Sequence, residues 1–148
     1  MQFSMSIEYA IHGLVYLARA PEGKAVLLGD IASSIKVPKE YTRKIFQQLT
    51  KKRLITARRG AGGGYRLARP AAEISLLDVV EAIEGSLPVY SCLRLHRHCG
   101  ISPNCPVQRA FEEAREKMAE VLQATSILVL SKEIAENRQE HSWLKVTA

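Results

Sequence analysis

The stretch Leu28-Gly-Asp-Ile-Ala-Ser-Ser-Ile-Lys36-Val-Pro38-Lys-Glu-Tyr-Thr-Arg-Lys-Ile-Phe-Gln-Gln-Leu-Thr-Lys-Lys52 decides how this chain folds. Leu28–Ile35 reads as a short helix with Ile31, Ala32 and Ile35 turned inward. Lys36-Val37 is a turn. Pro38 suits the first position of a helix, and the second helix runs to about Lys52 with Tyr41, Ile45, Phe46 and Leu49 as its buried stripe. Short helix, tight turn and second helix form a helix-turn-helix. Lys39, Glu40, Arg43, Lys44, Gln47, Gln48, Lys51 and Lys52 lie off the stripe. The polar residues at its N-terminal end are placed to meet base edges in a major groove, and the lysines suit phosphates. A merely solvated basic helix would carry the same pattern, so the next segment matters.

Leu54-Ile55-Thr56-Ala57 and Tyr65-Arg66-Leu67-Ala68 are strand-like. Arg58-Arg59-Gly60-Ala61-Gly62-Gly63-Gly64 between them fits neither helix nor core. Two short strands around a glycine-rich tip make a hairpin, and directly after a helix-turn-helix such a hairpin is a wing. The glycines permit positive φ in any loop. A tip without side chains also lets the backbone of Gly62 and Gly63 approach phosphates, while Arg58 or Arg59 enters the minor groove. No Gly-Lys-Ser/Thr follows the glycines, which excludes a nucleotide-binding P-loop.

Charge supports a polyanion partner. Residues 36–69 hold eleven Lys and Arg against one acid, a net of +10, while the other residues hold ten basic and fourteen acidic side chains, a net of −4. A charge run is often only a solvated helix face, but an excess confined to one segment is better explained by a polyanion partner.

Upstream, Ser4 or Ser6 caps a helix running to about Ala20, with Ile7, Ala10, Ile11, Leu14, Val15 and Ala18 on one face. Glu8 and His12 are four apart and share a different face. They form either an ordinary solvated pair or donors aimed at a metal site completed elsewhere in a dimer. Lys24-Ala25-Val26 is a candidate strand. Downstream, Ser75-Leu-Leu-Asp78 opens a helix with a capping-box pattern; Leu76, Val79, Val80 and Ile83 face inward and Gly85 stops it.

All three cysteines fall within the fourteen residues Cys92-Leu-Arg-Leu-His-Arg-His-Cys99-Gly-Ile-Ser-Pro-Asn-Cys105. Gly, Pro and charge mark a loop. Three thiols cannot pair without leaving one over. They are either three unrelated exposed thiols or shared ligands of a soft ion or cluster, thiolates selecting zinc, copper(I) or iron–sulfur clusters; their closeness in sequence favours the second. Three thiolates are one short of the usual four ligands, so a His, a carboxylate or another chain must complete the set. His98 adjoins Cys99 and is poorly placed to share its metal ion; His96 remains open.

From Pro106 to about Glu136 the pattern reads as one helix, roughly 45 Å long. Val107, Phe111, Ala114, Met118, Val121, Thr125 and Leu128 alternate by four and three, the repeat of helices packed lengthwise. Such a helix either folds back on its own domain or packs in part on a symmetry mate; the seam favours the second, a homodimer reading a near-palindromic operator. The tail from Asn137 is mostly polar.

With these residues in view, the chain resembles the Rrf-two family of bacterial winged-helix regulators, the family of IscR and NsrR, over about residues 1–136. Arg59-Gly-Ala-Gly-Gly-Gly-Tyr65 is close to its wing signature. Glu8-Tyr-Ala10, Asp30-Ile-Ala32 and Tyr41 to Leu49 support the match, and Cys92-x6-Cys99-x5-Cys105 is similar to the triad of its iron–sulfur members. The resemblance implies a homodimer, DNA read by residues 38–52 and the wing, and an iron–sulfur cluster on the three cysteines, with 2Fe–2S favoured over 4Fe–4S. It also implies that the first helix of one protomer lies near the cysteine loop of the other, which gives Glu8 and His12 a route to the fourth position. Some members carry a His three residues after the third cysteine; this chain has Gln108. It has Arg43-Lys44 where some relatives have Glu-Gln, so its operator should differ.

The expected fold is therefore mainly α with a small β-hairpin wing. A winged helix-turn-helix domain occupies 1–85, a cysteine loop 86–106, a dimerisation helix 107–136 and a tail 137–148. Expected DNA contacts are Lys39, Glu40, Arg43, Lys44, Lys51, Arg58, Arg59, Gly62, Gly63 and Tyr65; expected metal ligands are Cys92, Cys99, Cys105, Glu8 and His12. No run of 18 apolar residues crosses a membrane and no secretory signal opens the chain, so a cytoplasmic transcription regulator is expected. The alternatives are a winged-helix regulator using zinc or direct thiol oxidation, and a small metalloprotein of cluster assembly. No nucleophile elbow or paired-carboxylate site speaks for an enzyme.

Overall fold

Helix α1, Met5–Ala18, is the element on which the others pack. The computed structural model describes residues 3–21, 23–60, 62–87 and 105–136. Ala10, Leu14 and Val15 have no exposed surface, and Gly13, Tyr16 and Leu17 are buried as well. The single apolar face read from the sequence is thus too narrow. Helices α2, α3, α4 and α6, defined below, and the second strand all meet α1, so its covered arc is wider than that of a surface helix.

Helices α2, Leu28–Ile35, and α3, Lys39–Lys51, follow as expected, with Pro38 one place earlier as the N-cap. Both helices end in a left-handed residue that is not glycine: Lys36 at φ 56° and Arg53 at φ 58°. After α3, Arg53 N donates to the Thr50 carbonyl at 3.0 Å and Leu54 N to the Leu49 carbonyl at 3.0 Å. This is a Schellman closure with Leu54 and Leu49 in the same core. One residue of the α3 stripe is corrected. Thr42 is fully buried while Tyr41 is 40% exposed. The Thr42 hydroxyl donates to the Pro38 carbonyl at 3.2 Å, which makes burial of that polar group tolerable.

Strands β1, Ile55–Arg58, and β2, Gly64–Leu67, pair antiparallel, Ile55 opposite Leu67 and Arg58 opposite Gly64. The expected strand at 24–26 contracts to one bridge, Val26 to Tyr65, closed by two backbone hydrogen bonds of 2.8 Å. A 3₁₀ turn at Ala71–Glu73 leads to α4, Leu76–Glu84. The capping box is present: the Ser75 hydroxyl accepts from Asp78 N at 3.1 Å, and Ser75 N donates to the Asp78 carboxylate at 2.8 Å.

The single long helix expected over 106–136 is corrected to two, α5 at Pro106–Ala124 and α6 at Ile127–Glu136. Extended Thr125 and Ser126 separate them, and Ser126 bridges Ser75. Leu76 N donates to the Thr125 carbonyl and Ile127 N to the Ile74 carbonyl, each at 2.9 Å. These bonds replace helix bonds given up at the break. Ser126 Oγ accepts from Val129 N at 3.3 Å and caps α6. The break turns α6 back onto α1 and buries Ile127 completely.

The core joins Leu14, Ile31, Phe46, Leu49, Ile55, Ile74, Val79 and Ile127. A second cluster of Ile7, Val80 and Leu87 receives Met118, Ala119 and Leu122 of α5. The other side of α5 exposes apolar surface: Val107 is 50%, Phe111 47% and Val121 65% exposed.

Candidate nucleic-acid interface and ligand set

The start of α2, the first turns of α3 and the wing enclose an open cleft of about 390 Å³. Lys39, Arg43, Arg58, Gly63 and Tyr65 line it, together with Leu27, Leu28, Gly29, Asp30, Gly60 and Gly64. Five expected DNA-contact residues therefore meet in one place. Lys44, Lys51, Arg59 and Gly62 are exposed outside it, and Glu40 is paired with Arg43 at 3.4 Å. The start of α2 was not anticipated. It brings the acid Asp30 into the lining, and an apolar-periodic helix start gives no cue to that placement.

Wing glycines are demanded by the backbone. A Cβ at Gly63 would stand 2.5 Å from the Arg58 carbonyl oxygen, and one at Gly64 would stand 2.4 Å from that of Val26. Tyr65 packs its ring edge-on against Phe46, centroids 5.0 Å apart at 82°. It anchors the wing to α3 as well as lining the cleft.

Tyr41, expected in the core, joins α3 to α1. Its hydroxyl lies 2.7 Å from Ser6 Oγ, and its ring meets Tyr9 at a centroid distance of 6.0 Å and an angle of 86°. Ser6 and Tyr9 flank Glu8 in the chain. Glu8 is exposed and His12 half-buried; with Phe3, Ser4, Met5, Ile7 and Ile11 they line a groove of about 260 Å³.

Cys105 is a free, half-buried thiol at the N-cap of α5. Cys92 and Cys99, with His96 and His98, lie outside the described residues. Gln108 donates to Glu112 Oε1 at 2.9 Å. Among the described residues no three His, Cys, Asp or Glu side chains gather to hold a metal ion. Cys105 at the N-cap of α5 and His12 on α1 are donor types found together in mixed thiolate–imidazole clusters, and Glu8 offers a carboxylate, but the described residues do not gather them around one point.

A family model described as an iron-dependent transcriptional regulator, Rrf2, matches residues 3–133. The chain belongs to the Rrf2 family. Members of this family are transcriptional regulators that bind DNA, not enzymes. A Mycobacterium tuberculosis protein named as an HTH-type transcriptional regulator is 33% identical over 127 residues, 86% of this chain and 79% of its own length. The structure of CymR, the global cysteine regulator of B. subtilis, superposes with a TM-score of 0.75 at 23% identity, covering 90% of this chain and 98% of that one. IscR of T. potens gives 0.72 at 24%, covering 93% and 91%. The oxidized form of Staphylococcus aureus CymR gives 0.68 at 26%, covering 88% and 96%. These likenesses agree with the winged-helix fold. Among the described residues no helix is long and apolar enough to cross a membrane.

Proposed function

We propose that this protein is a cytoplasmic, homodimeric transcription regulator that reports redox, nitric oxide or iron–sulfur status through an iron–sulfur cluster. The ligands are Cys92, Cys99 and Cys105 of one protomer, with Glu8 or His12 of the other. The observation that carries the reading is the position of α1. The helix that bears Glu8 and His12 also touches Tyr41 of α3 through Ser6 and Tyr9. A change at the α1 groove is thereby two side chains from the proposed recognition helix. When bound, the cluster supplies a one-electron couple, and replacing a thiolate by imidazole or carboxylate raises its reduction potential. The 2Fe–2S type is favoured.

Lys39, Arg43 and Lys44 meet the major groove of a near-palindromic operator. Lys51 meets phosphate, and Arg58, Arg59, Gly62, Gly63 and Tyr65 form or carry the wing contact. The exposed stripe of Val107, Phe111 and Val121 is apolar surface suited to the partner protomer.

Anaerobic purification tests the cluster. Visible absorbance with bound iron and sulfide supports it, and its absence after reconstitution refutes it. His12→Ala or Glu8→Ala changes the spectrum of a folded protein and His96→Ala does not. Identical spectra in all three variants refute the cross-protomer ligand.

A second reading keeps the fold and makes the thiols the sensor, by direct oxidation or zinc release. It is favoured by the free, half-buried Cys105 and by the relative solved in an oxidized form. Stoichiometric zinc, or activity with neither metal nor sulfide, selects it.

A further inference from the structure

The basic segment 36–69 contains one acid, Glu40, and it stands in the first turn of α3. A carboxylate on a surface that meets DNA repels phosphate and lowers affinity for every duplex. As a first-turn acid Glu40 also favours the N-terminus of α3, and its pairing bears on how that helix meets DNA. Glu40 Oε2 lies 3.4 Å from Arg43 Nε, and Glu40 Oε1 accepts from Arg43 Nη2 at 3.5 Å. The Arg43 side chain is 43% and the Glu40 side chain 79% exposed, so in water the pair is easily exchanged. Arg43 is also the member that reaches the cleft beside Lys39 and Arg58.

Helix positions three apart carry Cβ atoms about 5–6 Å apart, and successive bases rise about 3.4 Å along a strand. The spacing lies between one and two base rises, a difference the long Arg43 and Glu40 side chains can span, so the two can reach neighbouring base pairs. A free arginine accepts any phosphate. An arginine beside a carboxylate gains most where both partners find new bonds, and even a weak pair biases it toward such sites. Guanine O6 and N7 satisfy the arginine, and the cytosine N4 amine satisfies the carboxylate.

We propose that Glu40 is a specificity-determining residue: it holds Arg43 off the phosphate backbone and, with it, selects half-sites containing two adjacent G·C pairs, guanine facing Arg43 and cytosine facing Glu40. This rests on the DNA-reading role of α3 proposed above. It departs from the behaviour of a simple basic patch, where removing an acid improves binding to all sequences alike.

The test uses the full chain and an operator selected from random duplexes, with every base pair placed in turn at the two positions. Wild type, Glu40→Gln, Arg43→Ala and the double variant are compared by fluorescence anisotropy at about 0.15 M salt. Circular dichroism verifies that the exposed substitutions leave the fold intact. Glu40→Gln should raise affinity for random duplex roughly threefold and reduce preference for cytosine at its position roughly tenfold. The two single effects on discrimination should be non-additive in the double variant. If Glu40→Gln shifts operator and random duplex by one common factor, or shifts neither, the inference is overturned. Failure of the underlying reading is seen separately: Arg43→Ala would then weaken operator and random duplex equally, whatever Glu40→Gln does.

Discussion

Gly64→Ala adds a methyl group where the wing has no room for it. The new Cβ would stand 2.4 Å from the Val26 carbonyl oxygen and 2.7 Å from its carbon, both backbone atoms that no rotamer can move. Gly64 also has φ 143°, outside the range comfortable for alanine. Relief requires β2 to part from Val26, and the two 2.8 Å hydrogen bonds between Val26 and Tyr65 go with it. Each bond contributes about 0.5–1.5 kcal/mol, and the backbone strain about 1–3 kcal/mol. The expected loss is about 3 kcal/mol, a large part of the stability of a small domain but short of unfolding it. Gly62→Ala is the control, because a Cβ there meets nothing within 4 Å and only its φ of 72° opposes alanine, at about 1 kcal/mol. Urea unfolding gives the stabilities, and anisotropy with operator DNA gives the affinities. Gly64→Ala should fold but lose about 3 kcal/mol and most operator binding, while Gly62→Ala should lose only about 1 kcal/mol of stability. Equal stability in the two variants would refute the anchoring of the wing through the Val26–Tyr65 bridge.

Other substitutions follow from the same geometry. Val121→Glu alters a side chain that is 65% exposed in one protomer, so it should dissociate the proposed dimer in sedimentation without unfolding it; Met118→Glu, which also disturbs the Ile7, Val80 and Leu87 cluster, should unfold α5 as well. Unchanged mass for Val121→Glu would move the interface elsewhere. Lys51→Ala should weaken all duplexes alike and reduce the salt slope by about 0.9, and a sequence-dependent loss would place Lys51 at a base edge. Arg53→Gly should raise stability by about 1 kcal/mol in urea unfolding by removing a Cβ from a left-handed C′ position, and a loss would show that the arginine side chain sustains that turn.

The helix-turn-helix and wing were legible because local signals agreed: helical apolar spacing in 28–52, strand alternation, glycines at the tip and the Ser75–Asp78 box. Tyr41 and Thr42 were exchanged because apolarity ranks tyrosine for the core, whereas a threonine whose hydroxyl returns to Pro38 is content there. The break at Thr125-Ser126 was hidden. The 3.5-residue repeat runs through it, and the bonds that make it come from Ile74 and Leu76, some fifty positions away. Schellman ends at Lys36 and Arg53 gave no glycine cue. At the site, Arg58 and Gly63 could be read from type and position, but the Glu40–Arg43 pair and the Tyr41 contact with Ser6 depend on rotamers and packing. Glu8 and His12 share a groove, as their four-residue spacing implied; the proposed link to the cysteines would run between protomers, which periodicity within one chain does not encode.

The proposed sensing mechanism is tested most directly by one comparison: the dissociation constant of the full chain for its selected operator, measured anaerobically at fixed salt with the cluster loaded and again after its removal. A coupling of the usual size, about 1–3 kcal/mol, corresponds to a change of roughly 5–150-fold. The account predicts a change in that range, reduced in Tyr41→Phe, where the hydroxyl contact to Ser6 is lost. Equal dissociation constants for the loaded and cluster-free protein, at matched fold and oligomeric state, would contradict it.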